Sequence, residues 1–246
     1  MKVRIFDVRH YSRNKVTGKE FQLPTAQGVW EMQQLMEILI GGYGLHPDRP
    51  YGSTPDCIAT SPQPRAWLMA ELIANALGWI NRHLVERYDE FNDISSDPAI
   101  KELGIVDAYK AYAQQHGVSA EAALLLDPTC RQYMWERSDD GLIALTEIAS
   151  QCEDDGTAVI FSHGGQVEMR FLRLLHLSRS GIDFGIEEQH PDMINVDDLN
   201  EFGGMLQTGE GFSYTLEIKE GRIVDVSNLS TIRLPTVPAE IADHDD

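Results

Sequence analysis

Arg9 and His10 close the run Val3-Arg4-Ile5-Phe6-Asp7-Val8, a β-branched and aromatic stretch that reads as a buried strand. The arrangement recurs twice. Cys57-Ile58-Ala59-Thr60-Ser61 leads into Pro62-Gln63-Pro64-Arg65, and Thr157-Ala158-Val159-Ile160-Phe161-Ser162 leads into His163-Gly164-Gly165. In α/β proteins ligands bind at the carboxyl ends of strands. Three such ends would gather two histidines and two arginines, the equipment for holding a phosphoryl group. Guanidinium forks match its oxygens, and a neutral imidazole can attack the phosphorus or carry a proton.

In this order, Arg9-His10, Ser61-Pro62-Gln63-Pro64-Arg65-Ala66 and Ser162-His163-Gly164-Gly165 resemble the motifs of the histidine phosphatase superfamily, also called phosphoglycerate mutase-like. The likeness runs from the N-terminus to about residue 230. Leu23-Pro24-Thr25-Ala26-Gln27-Gly28 is similar to the turn that commonly opens the first helix of that family. The resemblance implies a three-layer α/β/α sandwich with a mostly parallel central sheet and a helical insertion. It also implies a metal-independent phosphatase that hydrolyses phosphomonoesters without a cofactor. His10 would be the nucleophile and form a phosphohistidine. Arg9 and Arg65 would grip the phosphoryl oxygens, His163 would add a contact, and Gly164 would open a helix beside those oxygens. Arg13, three residues after His10, is similar to a further phosphate-binding arginine of the acid-phosphatase branch. Tyr11 departs from the family pattern, which usually has glycine there and so a different backbone fit beside the nucleophile.

The leaving alcohol needs a proton donor. In the smaller branch of the family this is a glutamate about two dozen residues after the motif arginine. Glu90 has the best offset from Arg65, while Glu86, in Val85-Glu86-Arg87-Tyr88, resembles a mutase segment. Glu90 is the preferred donor. The Gly-Glu-Ser-x-Trp-Asn run of the mutases is absent after Arg9-His10, which favours hydrolysis over phosphoryl return. The alternatives are mutase-type transfer, and a catalytically silent relative that binds a phosphorylated ligand.

The elements that must position these residues are legible in part. Thr25 can cap a helix with Val29, Met32, Leu35, Met36 and Leu39 on helical spacing until Gly41-Gly42. Ser61 can cap a second helix through Leu68, Leu72, Ile73 and Leu77, stopped by Gly78, with Arg65 in its first turn. Short helices are expected within 97–137, and a further helix capped by Asp140. Another helix follows His163, and a hairpin joins 212–218 to 222–226 around Glu220-Gly221. Residues 11–23 and 43–55 read as loops.

The chain of 246 residues can bury a full core, so one domain over 1–234 is expected. A helical insertion would occupy about 91–140, and an acidic tail, 235–246, is expected to be disordered. A formal net charge of −19 argues against nucleic acid or an anionic membrane as partner. A small phosphorylated substrate would have to be captured by a local cationic pocket at short range. No apolar run reaches the length of a membrane span, and the N-terminus lacks signal-peptide character, which points to the cytoplasm. Cys57, Cys130 and Cys152 are unevenly spaced and read as reduced, mostly buried thiols. The remaining histidines show no metal-binding spacing. Residues 91–140 and 180–211 would set specificity without a readable code.

Overall fold

The computed structural model describes residues 1–12, 23–45, 54–79, 85–93, 97, 99–180 and 189–242. Arg13 lies outside them, as do most of the two loops expected at 11–23 and 43–55.

Six strands form one sheet: β1 (Lys2–Arg9), β2 (Cys57–Thr60), β3 (Val85–Arg87), β4 (Gly156–Ser162), β5 (Gly211–Lys219) and β6 (Arg222–Ile232). Their spatial order is β3-β2-β4-β1-β5-β6. The first four run parallel, and β5 and β6 complete the sheet antiparallel. Around the sheet lie α1 (Ala26–Glu37), α2 (Pro64–Ala76), α3 (Ala99–Glu102), α4 (Ile105–His116), α5 (Ala120–Leu126), α6 (Pro128–Gln151), α7 (Gln166–Ser180) and α8 (Ala239–Ala242).

Strand alternation builds two cores. Val3, Ile5, Ala59, Ala158 and Ile160 pack in one cluster with Leu145, Ile148, Phe171 and Leu174 of α6 and α7. Phe6, Val8, Ile58, Val159 and Phe161 pack in the other with Met32, Leu35, Met69 and Ile73 of α1 and α2. Side chains of successive strand residues point to opposite faces, so this is the expected α/β/α sandwich. Each buried Val, Leu, Ile, Phe or Met side chain among them contributes about 1.5–3 kcal/mol. Because β4 is covered on both faces, it reads as a continuous apolar run rather than an alternating one.

The connections leave β1 and β4 in opposite directions. From β1 the chain passes through α1 to β2, on the far side of β4, and from β4 it passes through α7 to β5, on the far side of β1. Adjacent parallel strands whose connections diverge open a crevice at their carboxyl ends.

Several local expectations are met. Thr25 caps α1 by accepting the Gly28 N–H at 3.1 Å, and the helix runs on through a π turn at Ile38–Gly42. Gly78, at φ 69°, follows Leu77, the residue that caps the end of α2. The hairpin forms, with β6 extending to Ile232.

Others are corrected. Ser61 does not cap α2: the helix begins at Pro64, whose fixed φ suits a first helical position, with Gln63 as its cap residue. Asp140 lies inside α6, which begins twelve residues earlier because the Asp127 carboxylate accepts the Cys130 N–H at 2.9 Å. The segment 91–140 therefore holds α3, α4, α5 and the first half of α6. Strand β3 has only three residues, too few for any periodicity, and was not anticipated. Within the expected tail, Ala239–Ala242 form a helical turn beside α1, started by an Ile241 N–H to Pro238 carbonyl bond, and residues 243–246 lie outside the described residues. All three cysteines are buried and free.

Candidate active site

The sheet register brings the three motifs side by side. Arg9 pairs with Ser162 across β1 and β4, and Thr60 pairs with Phe161 across β2 and β4. The ladders then run one step beyond the strands, from His10 N–H to the Ser162 carbonyl (3.0 Å) and from Ser61 N–H to the Phe161 carbonyl (2.9 Å). Alternation sends His10 and His163 to the α2 face, and Arg9 and Ser162 to the α7 face.

His10 is 8 % exposed, and its Nδ1 lies 2.8 Å from the Tyr11 carbonyl oxygen. A carbonyl only accepts, so Nδ1 carries the proton and Nε2 keeps its lone pair. Arg65 Nε–H donates to that Nε2 at 3.0 Å and is shared with His163 Nδ1 at 3.3 Å. The two imidazoles meet edge to face, 5.0 Å between centroids. His163 Nε2–H in turn donates to Ser61 Oγ at 2.8 Å, and the same oxygen accepts the Gln63 N–H at 3.1 Å. Ser61 thus ties the entry of α2 to His163 instead of capping the helix.

Burial, joined by the charges of His10, Arg65, Arg170 and Arg9, holds the His163 pKa well below its ordinary 6.5. His163 is therefore neutral and accepts from Arg65, rather than serving as a cationic contact. Tyr11, standing where glycine was expected, has ordinary backbone: among the described residues, only Asp155, Glu220 and Asn228 outside glycine take positive φ. Its side chain is fully buried between β1 and α1, and burial raises its hydroxyl pKa to about 12.

Arg9 lies against the glycine turn. A Cβ at Gly164 would stand 2.8 Å from Arg9 Cζ, so glycine leaves room for the guanidinium where it stands. Arg9 Nη1 donates to the Leu206 carbonyl (2.8 Å) and Nη2 to Glu121 of α5 (2.7 Å), while Nε is buried with no partner among the described residues. That N–H could donate to an anionic oxygen beside it. The Gly165 N–H is taken by the buried Glu168 carboxylate at 2.6 Å, which also accepts from Leu206 N–H. Burial raises the Glu168 pKa, against Arg9 and these amides, which lower it.

Neither sequence-derived carboxylate is bonded to this cluster among the described residues. Glu90 is half-buried in the 3-10 turn Asp89–Phe91 and makes no hydrogen bond or ion pair to Arg9, His10, Arg65 or His163 among the described contacts. Glu86 is exposed on β3 and accepts from the Tyr88 hydroxyl at 2.8 Å. The carboxylate that pairs with Arg65, through Nη2, is that of Asp93. Sequence reasoning missed Asp93, whose offset from Arg65 lies just beyond the family glutamate. It also missed Glu31, only 2 % exposed, which accepts from Ser12 N–H (2.6 Å), Ser12 Oγ (2.7 Å), Gln27 (2.8 Å) and Thr208 (2.6 Å) and so fixes the chain leaving His10. A polar residue within a helix gives no sign of such convergence.

No family model matches the chain, and no curated protein does. Solved structures match over nearly its whole length. A structure described as mycobacterial hydrolase 2 shares 13 % identity, covering 98 % of this chain and 95 % of that one, with a TM-score of 0.58. A mycobacterial glucosyl-3-phosphoglycerate phosphatase shares 14 %, covering 95 % and 100 %, with a TM-score of 0.54. A phosphoglycerate mutase from Bacillus anthracis str. Sterne shares 12 %, covering 95 % and 92 %, with a TM-score of 0.50. The class is thus a three-layer α/β/α sandwich with a mostly parallel sheet. Within that class, the chain shares its fold with these hydrolase, phosphatase and mutase structures.

Proposed function

We propose that this protein is a metal-independent phosphatase that hydrolyses small phosphomonoesters through a phosphohistidine on His10. The observation that carries the reading is the state of that imidazole. Its Nδ1–H is committed to the Tyr11 carbonyl, and its Nε2 lone pair meets the Arg65 guanidinium at 3.0 Å. A neutral imidazole held in one tautomer beside a cation is what in-line attack on a phosphoryl group needs. Arg65 and the unpartnered Nε of Arg9 supply donors for the phosphoryl oxygens, beside the glycine turn at Gly164. Arg13 completes the set in this reading. His163 binds the same oxygens once a dianion arrives, since negative charge favours its protonated form.

In the first half-reaction a P–N bond forms at Nε2 as the bond from phosphorus to the leaving oxygen breaks, and a carboxylic acid from 90–93 protonates that oxygen. In the second, water attacks the phosphohistidine and His10 is released neutral. The fold is shared with a glucosyl-3-phosphoglycerate phosphatase and a phosphoglycerate mutase, which suits a phosphorylated small molecule as substrate. Three free, buried thiols suit a reducing compartment such as the cytoplasm.

The test is a trapping experiment. Rapid denaturing quench with an aryl phosphate labelled in its phosphoryl group should leave an acid-labile, base-stable label on the protein, absent in His10→Ala. Unimpaired turnover by His10→Ala would end this reading.

A further inference from the structure

We infer that Asp93 is the proton donor to the leaving-group oxygen, an inference that rests on the phosphatase reading above. The segment carrying Asp93 is built into place. Tyr88 N–H continues the sheet ladder to the Thr60 carbonyl at 2.9 Å, and the fully buried Phe91 ring lies under the Arg170 guanidinium. Two side chains that flank His163 in sequence then hold the segment from the other side. Ser162 Oγ donates to the Phe91 carbonyl at 3.3 Å, and Gln166 Nε2 donates to the Asn92 carbonyl at 2.5 Å. The next residue delivers its carboxylate to Arg65 Nη2.

Nε and Nη2 form one edge of a guanidinium, the edge that binds two oxygens of a phosphoryl group. Here that edge carries the nucleophilic nitrogen of His10 at one end and the Asp93 carboxylate at the other. A phosphoryl group that engages Arg65 and lies in line with His10 must enter between them. Its leaving oxygen then faces away from His10, toward Asp93. Loss of the Arg65 cation to the phosphoryl group, and the arrival of that group's negative charge, both favour a proton on the displaced carboxylate. Glu90, three residues earlier, has no such tie to Arg65 among the described residues.

The step balances. As the P–O bond breaks, its electron pair stays on the alkoxide oxygen, which takes the Asp93 proton and leaves as the alcohol. The Asp93 carboxylate then removes a proton from the water that attacks the phosphohistidine, and is restored to the acid.

The experiment measures kcat/KM, which reports phosphorylation, over aryl phosphates from 4-nitrophenyl to unsubstituted phenyl, with glycerol phosphate as an alkyl ester. In Asp93→Asn the loss should grow as the leaving group worsens, from under about 10-fold for 4-nitrophenyl to about 10²–10⁴-fold for glycerol phosphate. Asn keeps the size of the side chain and an acceptor for Arg65, and Asp93→Glu should recover part of the loss. Gln166→Met, which releases the Asn92 carbonyl, should give a smaller loss of the same selectivity, as befits a positioning residue. A loss equal across the series in Asp93→Asn would mean a structural role and overturn the proposal. So would a selective loss in Glu90→Gln with none in Asp93→Asn. Failure of the phosphohistidine reading would appear separately, as turnover by His10→Ala.

Discussion

Asp7 and Arg170 form a buried ion pair with two parallel bonds, Nε to Oδ2 at 3.0 Å and Nη2 to Oδ1 at 2.9 Å, and both side chains are 1 % exposed. The pair lies on the β1 face opposite His10, and Arg170 covers Phe91 at 4.9 Å. One contact thus links the strand that carries His10 to the segment that carries Asp93.

Removing one partner of a buried pair leaves an uncompensated charge. Asp7→Asn should therefore cost about 3–5 kcal/mol, read from urea unfolding, whereas a joint change to Asp7→Leu and Arg170→Met should cost clearly less. A loss under about 1 kcal/mol in Asp7→Asn would show that the pair contributes little.

His163 should give stability a pH dependence. Its folded-state pKa is depressed below the ordinary 6.5, first by burial and then by its cationic neighbours. As pH falls through about 6.5 the unfolded chain takes up a proton that the folded chain refuses, so stability falls with pH. The contribution is fully present above that value and is lost progressively below it. Unfolding free energy followed from about pH 7.5 to 5 should fall more steeply in wild type than in His163→Gln, by up to about 1.4 kcal/mol per pH unit. Parallel curves would contradict a neutral buried imidazole.

Gly164→Ala should injure catalysis without touching the nucleophile. The new methyl would stand 2.8 Å from Arg9 Cζ, so the guanidinium must shift. A displacement of about 1 Å in a positioning group can cost on the order of 10²-fold. kcat/KM should fall alike for good and poor leaving groups, a pattern distinct from that of a lost proton donor. Wild-type kinetics would remove Arg9 from the phosphoryl site.

Activity should survive chelation and be blocked by vanadate. In the proposed mechanism arginines supply the positive charge that metal ions supply in metal-dependent phosphatases. Loss of turnover in EDTA, restored by one divalent ion, would reverse this expectation.

The parts of the fold written in consecutive residues were legible. β1, β2 and β4 announce themselves as apolar runs, and the residues just beyond them point to their chemistry. His10, Arg65 and His163 meet because three strand ends are level in one sheet, which local patterns can suggest. Asp93 was not legible, since its pairing with Arg65 depends on Gln166, 73 residues further along, holding the carbonyl beside it. Glu31 and Thr208, 177 residues apart, meet for equally non-local reasons. The start of α6 was misplaced because Asp140, a plausible cap, stands mid-helix with its backbone N–H already bonded within the helix.

Helix α6 also bears on how this protein could be recombined with others of its fold. It has 24 residues, about 36 Å at the usual rise, with Cys130 and Met134 packing beneath α4 and α5 and Leu145 and Ile148 beneath the sheet. The segment that carries Glu121 to Arg9 is therefore spliced to the scaffold by an unbroken rod rather than by a hinge. A crossover at residue 140 would join two half-helices of foreign origin and lose the register of both packed faces. The natural seam is Asp127, where one helix has closed and the next begins with its own cap.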